Sequence, residues 1–168
     1  MNAAKKLEKI MQGSKSIKLY KKDSEDNQIE VINSIEEPGT LEDILKIETY
    51  LQKKLPADYK EFLLQYNGAR LFDYEQLDGM KLLGTADMCK VNDYAKATFE
   101  EDWDSNILIF AKYIGEDNYL GFYMDKGKNI IIDCFFEELP EDWEVISENF
   151  DEFLFKFIEL QGHKFWLD

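Results

Sequence analysis

The stretch LEDILKIETYLQKKLPADYKEFLLQYNGA, Leu41–Ala69, decides how the chain is read. Thr40, just before it, is a good N-cap, and Glu42 and Asp43 stand in the first turn, where carboxylates favour the positive end of the helix dipole. Leu41, Ile44, Ile47 and Leu51 repeat at helical spacing and define one apolar face over residues 41–53. Leu55-Pro56 then forms a corner, because proline suits a helix start, where its missing N–H costs nothing. Tyr59, Phe62, Leu63 and Tyr66 fall at i, i+3, i+4 and i+7, one buried stripe of a second helix over 57–66. Asn67-Gly68 offers a left-handed residue to end it. Two helices with a tight corner are expected here, and nothing in that pattern is chemistry.

The rest of the chain reads as sheet and one closing helix. Residues 107–135 hold three apolar runs, NILIFAKYIG, YLGFYM and NIIIDCFF, separated by EDN and DKGK, so three sequential antiparallel strands are expected. MKLLG, Met80–Gly84, is a further short strand, and residues 85–104 carry a loose helical pattern through Met88, Val91, Ala95 and Phe99. IEVINSI, Ile29–Ile35, alternates as an edge strand would. Trp143 and Val145 are expected to point inward on the crossing segment. SENFDEFLFKFIELQG is a terminal helix with Ser147 as cap and Gly162 as stop. The fold class is therefore α+β: a single domain with paired N-terminal helices, an antiparallel sheet and a closing C-terminal helix. The core should contain Tyr59, Phe62, Leu63, Phe110, Phe122, Ile131, Phe153 and Phe157.

Composition narrows the function. Of 168 residues 45% are hydrophobic and 14% aromatic, enough to exclude disorder despite a net charge of -15. The apolar runs fall far short of the ~20 residues a membrane span needs, and the N-terminus carries no signal-peptide pattern, so a cytoplasmic chain is expected. Cys89 and Cys134 are too few and too far apart for a disulfide framework and are read as reduced and buried. Lysines at 5, 6, 9, 15, 18, 21 and 22 face one acid, Glu8, in the first 22 residues, a net of +6, which leaves -21 on the remainder. Residues 1–30 are read as a basic, part-helical N-terminal extension, and 31–168 as the domain. Such an acidic body repels phosphate backbones, which argues against nucleic acid as a partner, and attracts basic surfaces.

The sequence lacks the spacing that known chemistries need. His163 is the single histidine and sits near the chain end, a poor place to hold an imidazole in register. Two cysteines and one histidine, scattered, do not make a zinc site, and DYEQLDG, Asp73–Gly79, has Leu77 where a calcium loop needs an oxygen ligand. No glycine-rich phosphate loop and no GxSxG elbow occurs. Asp133 is the best single carboxyl for acid–base work, being flanked by Ile132 and Cys134, but it has no fixed second partner in the sequence. No catalytic residue, cofactor or metal is expected. What stands out is acid set around tryptophan. Glu100, Glu101, Asp102, Trp103 and Asp104 form one cluster, and Glu137, Glu138, Glu141 and Asp142 beside Trp143 form another. From Asp133 to Glu152 there are nine acids and no Lys or Arg. Tryptophans bury large area at interfaces, and carboxylates pair with Lys or Arg across them. The competing reading is a core tryptophan with a solvated acidic rim.

The helix, Leu55-Pro56 corner, Asp58-Tyr59-Lys60-Glu61-Phe62-Leu63 and Asn67-Gly68 together resemble the signature of the SUKH superfamily, with Ala69 where a second glycine is usual. ILIFAKYIGEDNYLGFYM looks like that family's first core hairpin, and SENFDEFLFKFI like its terminal helix. The resemblance covers about residues 40–160. The superfamily includes a yeast regulator of cell-wall synthesis and many bacterial immunity proteins. It implies a non-enzymatic protein that binds and neutralises a cognate toxin, often a nuclease, by direct contact, and it carries no catalytic residues. The alternatives are a regulatory or scaffold module without a toxin, and a carboxylate-based hydrolase. The expected partner is a basic toxin protein, with no membrane and with the chain a monomer or weak dimer.

Overall fold

The computed structural model describes residues 2–168. Helix α1 (Ala3–Met11) leads into the hairpin β1 (Ser16–Lys22) and β2 (Gln28–Ile35). Helices α2 (Leu41–Leu51) and α3 (Ala57–Gln65) follow, then β3 (Ala69–Tyr74), β4 (Asp78–Leu82) and helix α4 (Thr85–Phe99). The meander β5 (Ile107–Tyr113), β6 (Tyr119–Asp125) and β7 (Lys128–Cys134), a short β8 (Val145–Ser147) and helix α5 (Phe150–Glu159) complete the chain. All eight strands lie in one sheet in sequence order, each antiparallel to the next. The expected α+β class, the two helices and the three-strand meander are all present.

Each part of the signature stretch has a structural task. Thr40 and Asp43 form a reciprocal capping box that starts α2. The buried Glu48 carboxylate accepts the Leu55 N–H at 3.0 Å, with Lys60 3.8 Å away, and so pins the Leu55-Pro56 corner to α2. The Tyr59 hydroxyl, fully buried, donates to the Leu83 carbonyl and lies 3.3 Å from that of Phe110, tying α3 to the sheet. Burial pushes that phenol far above its ordinary pKa, so it stays a donor. Asp58 accepts the N–H groups of Phe150 and Asp151 at 3.1 and 3.2 Å, capping α5 from another helix. Asn67 does more than end α3, whose last residue is followed by an extended Tyr66. Its carboxamide accepts the Thr85 N–H at 2.9 Å, and its backbone N–H donates to Glu37. A Cβ on Gly84 would collide with the Asn67 carbonyl, so the Asn-Gly step locks the start of α4 against the loop before α2.

All eight core residues expected from the sequence are buried. Tyr59, Phe110, Phe122, Phe150 and Phe153 form a continuous aromatic cluster between the sheet, α3 and α5. Helix α4 packs elsewhere on the sheet. Its buried Asn92 both accepts the Ile109 N–H and donates to the Ile109 carbonyl, each at 2.9 Å, in place of a neighbouring strand beyond the end of β4.

Several expectations need correction. The boundary at residue 30 cuts through β2, and the segment before it is built into the domain: Ala3, Leu7 and Met11 are buried, and the Asp151 carboxylate accepts the Ala3 N–H at 2.9 Å. β2 is an interior strand rather than an edge, since β1 covers it. Ala69–Tyr74 is a strand that alternation did not reveal, because a bulge breaks it: Phe72 is held at φ +53° and its N–H is taken by the buried Asn33 side chain at 2.6 Å. Val145 faces solvent at 58% exposure, and Leu41 does so at 63%. Asn149, not Ser147, caps α5, accepting the Glu152 N–H. Cys134 is buried as expected, but Cys89 is only half-buried, and both thiols are free.

Candidate protein-binding face

The two acid–tryptophan clusters use one local device twice. Glu100–Asp102 and Pro140–Asp142 are each a single 3₁₀ turn, and each is closed by a tryptophan in extended backbone, φ -69° at Trp103 and -68° at Trp143. In each, the tryptophan N–H donates back to the first residue of the turn, Glu100 or Pro140. A 3₁₀ turn eclipses residues three apart, so Pro140 and Trp143 face inward together while Glu141 and Asp142 between them face solvent. The fold then brings the two turns together: the indole centroids lie 6.3 Å apart at 74°. Trp143 stacks on Phe136 at 5.9 Å and meets Phe99 edge-on at 5.1 Å, while its Nε1–H donates to the Phe135 carbonyl at 2.9 Å. Trp103 is half-buried against the same cluster.

The tryptophans therefore follow the reading of core residues beneath an acidic rim, with Trp143 pointing inward as expected and Trp103 half-buried. Trp143 is only 7% exposed and supports the face from beneath. Glu100, Glu101, Asp102, Glu137, Glu138, Glu141 and Asp142 are exposed, and Asp104 is half-buried, accepting the Asn106 N–H at 2.8 Å. None of these carboxylates has a cationic partner within 4 Å among the described residues. The result is a set of unneutralised acids standing on a rigid aromatic floor.

The aromatic floor continues beyond what the sequence singled out. Tyr94 of α4 stacks on Phe136 at 5.9 Å and donates its hydroxyl to Asp117 at 2.7 Å. Tyr119 donates to the other oxygen of Asp117 at the same distance. Burial acts to raise the Asp117 pKa, and the two phenol hydroxyls with Lys112 outweigh it, holding the carboxyl below its ordinary range. On the other side, Tyr50 of α2 donates to Asp93 at 2.5 Å. Tyr50 and Tyr94 are 57% and 46% exposed. The signal for Tyr94 was available: it is a large aromatic that falls off the apolar stripe of α4. Asp93 and Asp117 carried no signal, because their partners come from other elements.

The remaining candidates for chemistry are engaged structurally. His163 is exposed and pairs with Asp168 at 2.8 Å. Burial raises the Asp133 carboxyl, against the Tyr113 hydroxyl that donates to it at 2.6 Å; Glu138, Glu144 and Glu116 add to the rise. Tyr113 in turn accepts the Trp166 indole N–H at 2.7 Å. Burial pushes the Cys134 thiol well above its ordinary pKa, which suppresses the nucleophilic thiolate. Among the described residues no cluster of His, Cys, Asp and Glu is arranged to hold a metal ion, and no helix is long and apolar enough to cross a membrane.

Comparison with known proteins places this geometry. A model of the SMI1 / KNR4 family (SUKH-1) matches residues 38–156, from the loop before α2 into α5. Two uncharacterized proteins of Bacillus subtilis (strain 168) are similar at 28% identity: YobM over 78% of this chain and 71% of its own length, and YnaB over 77% and 83%. The immunity protein RhsIB of Dickeya dadantii (strain 3937) is 23% identical over 74% of this chain and 77% of its own. With the family match spanning the helix pair, the sheet from β3 to β8 and most of α5, the chain belongs to the SMI1 / KNR4 family (SUKH-1).

Proposed function

We propose that this protein is an immunity protein that neutralises a cognate bacterial toxin of nuclease type by direct contact through the acidic face. The similarity to RhsIB supports the class of function. The observation that carries the choice of face is the convergence of the Glu100–Asp102 and Pro140–Asp142 turns on one aromatic floor, with their carboxylates free of internal partners. A nuclease needs a basic surface to hold phosphate, and an acidic protein of matching field competes for that surface. No active site is required of the inhibitor, and it works in the cytoplasm, where the toxin's substrate lies.

Two variants test this: Glu100, Glu101 and Asp102 changed together to Lys, and separately Glu137, Glu138 and Glu141 changed together to Lys. The product of the neighbouring gene is co-expressed with each, and survival and complex formation are measured. At least one variant should fold normally and lose protection. For the rim carboxylates the loss should lie mostly in the association rate and shrink at high salt, as the Debye length falls to about 3 Å at 1 M. Full protection by both variants would rule out this face, and a neighbouring gene without toxic activity would favour a regulatory binding module.

A further inference from the structure

We propose that the outer edge of β1 is an interface for a second copy of this chain, joining the two sheets about a twofold axis at Leu19. β1 stands at the end of the sheet and has one neighbour, β2. Their register runs without a bulge from Ser16 to Lys22. The bonds at the two ends of this ladder show which backbone groups it uses. The Ile35 N–H donates to the Lys15 carbonyl and the Asp23 N–H to that of Asn27, each at 2.9 Å. In an antiparallel ladder bonded pairs alternate, so residues 15, 17, 19, 21 and 23 direct their N–H and C=O at β2. Ser16, Lys18, Tyr20 and Lys22 direct theirs outward, and no other strand among the described residues takes them up. All four side chains are exposed. A regular edge of this length is a template for one more strand, whereas the opposite edge, β8, has only three residues and a shifted register.

The order of side chains along β1 selects the occupant. Lysines on an edge discourage most incoming strands. Antiparallel pairing of β1 with itself about Leu19 sets Lys18 opposite Tyr20, Ser16 opposite Lys22, Ile17 opposite Lys21 and Lys15 opposite Asp23, so no like charges meet. A shift by one hydrogen-bonding step loses this in either direction. An axis at Lys18 sets Lys18 against itself and Lys15 against Lys21, and an axis at Tyr20 sets Lys18 against Lys22. Half-steps fail because they call on backbone groups already given to β2. Both faces suit the pairing. On the helix side Leu19 lines an apolar groove of about 250 Å³ with Ile10, Val31, Phe72 and Ile158. At the axis two copies of Leu19 form a non-hydrogen-bonded pair, the kind in which side chains come closest. On the other side Tyr20 is 61% exposed and donates to Glu30 at 3.1 Å, and Lys18 faces the same carboxylate at 3.5 Å. Each tyrosine ring there receives the lysine of the other copy, a cation–π contact. Lys15 is matched by Glu37 and Lys22 by Asp26 at 3.8 Å, which limits repulsion between the two edges. The acidic turns lie at the far end of the sheet, so the pairing leaves them free and does not rest on the immunity reading.

Sedimentation velocity of the full chain, from micromolar to millimolar protein, should show monomer giving way to dimer. Over the same range hydrogen exchange at the outward amides of Lys18 and Tyr20 should slow, as followed by NMR. Lys18→Pro removes one outward N–H and leaves the β2 ladder intact, since proline is tolerated on the open side of an edge strand; it should give a folded monomer. Tyr20→Lys sets lysine against Lys18 twice across the axis and should weaken the dimer about two- to thirtyfold, the range of two cross-strand pairs. Adding Lys18→Glu to Tyr20→Lys should restore the dimer, because opposite charges then face each other. That rescue reports the register itself, and it keeps the test decisive should the proline variant fail to fold. A monomer at every concentration, a dimer unaffected by Tyr20→Lys, or no recovery in the double variant would overturn the proposal. Species that grow past two copies would seat β1 on β8 of the next molecule and would equally overturn the twofold pairing.

Discussion

The two ends of the sheet handle charge in opposite ways. At the β1 end the lysines are used inside the molecule. Lys6 pairs with Glu159 at 2.9 Å, Lys18 faces Glu30 at 3.5 Å, Lys21 donates to the Gln161 carbonyl at 3.1 Å, and Lys15 pairs with Glu37. At the β7–β8 end the carboxylates of the 3₁₀ turns have no such ties. A charge count alone makes both ends look like binding patches of opposite sign. Geometry separates them: one set of charges staples α1 and the hairpin to the body, and the other set is left for solvent or a partner. Exposed pairs of this kind contribute little stability each, so the N-terminal segment depends mainly on its buried apolar residues.

Mutations that break this contrast rank by burial. The largest losses are expected in the core that both ends share, where Phe62→Ala should cost about 3–5 kcal/mol including its cavity. Leu7→Ala should cost about 2–5 kcal/mol if α1 belongs to the domain; denaturant melts that matched a Lys5→Ala surface control would return α1 to the status of an appendage. Next comes Asn33→Ala, which orphans the Phe72 N–H at the bulge and should cost about 1–3 kcal/mol by the same measurement.

Asp133→Asn sharpens the comparison at the acidic end through pH. Burial raises the folded-state carboxyl above its unfolded value, so the folded protein holds the proton more tightly. Acid therefore favours folding at this group, and that contribution is lost as pH rises through the folded pKa. The asparagine variant does not titrate there. Its melting temperature relative to wild type should rise between about pH 4 and neutrality, and a constant difference across that interval would show that Asp133 is no more protonated than an exposed acid. The smallest stability effect is expected from the triple Lys variants at the 3₁₀ turns, within about 0.5 kcal/mol of wild type, although their effect on toxin binding should be large. A large unfolding penalty would make those acids structural, like the lysines at the other end.

Local pattern was enough wherever a residue's partners lie within one turn or one hairpin. The capping box at Thr40 and Asp43, the stripe of Tyr59, Phe62 and Leu63, and the strands from Ile107 to Cys134 are short-range features, and all were legible. So was the doubled Glu-Asp-Trp pattern, because each 3₁₀ turn needs only its own residues. The bulged strand at Phe72 was not legible: its irregular register is compensated by Asn33, far back in the chain. The role of Asp58 as a cap for α5 was equally hidden, since donor and acceptor are more than ninety residues apart.

The same division holds for the proposed binding face. Residue type and spacing were sufficient to mark Glu100–Asp104 and Glu137–Asp142 as acid set around tryptophan, and to mark the helix pair as the core of the fold. Whether the two clusters act as one surface depended on β5, β6 and β7 laying Trp103 against Trp143. Whether the tryptophans point outward depended on Phe99 and Phe136 filling the space beneath. Tyr50 and Tyr94 are each held only through Asp93 and Asp117, which come from a different helix and a turn. Hydrophobic periodicity is a property of consecutive residues and survives in one dimension; a cluster of charge, a braced ring or an unpaired carboxylate is a property of neighbours in space, and exists only once the sheet has brought distant segments together.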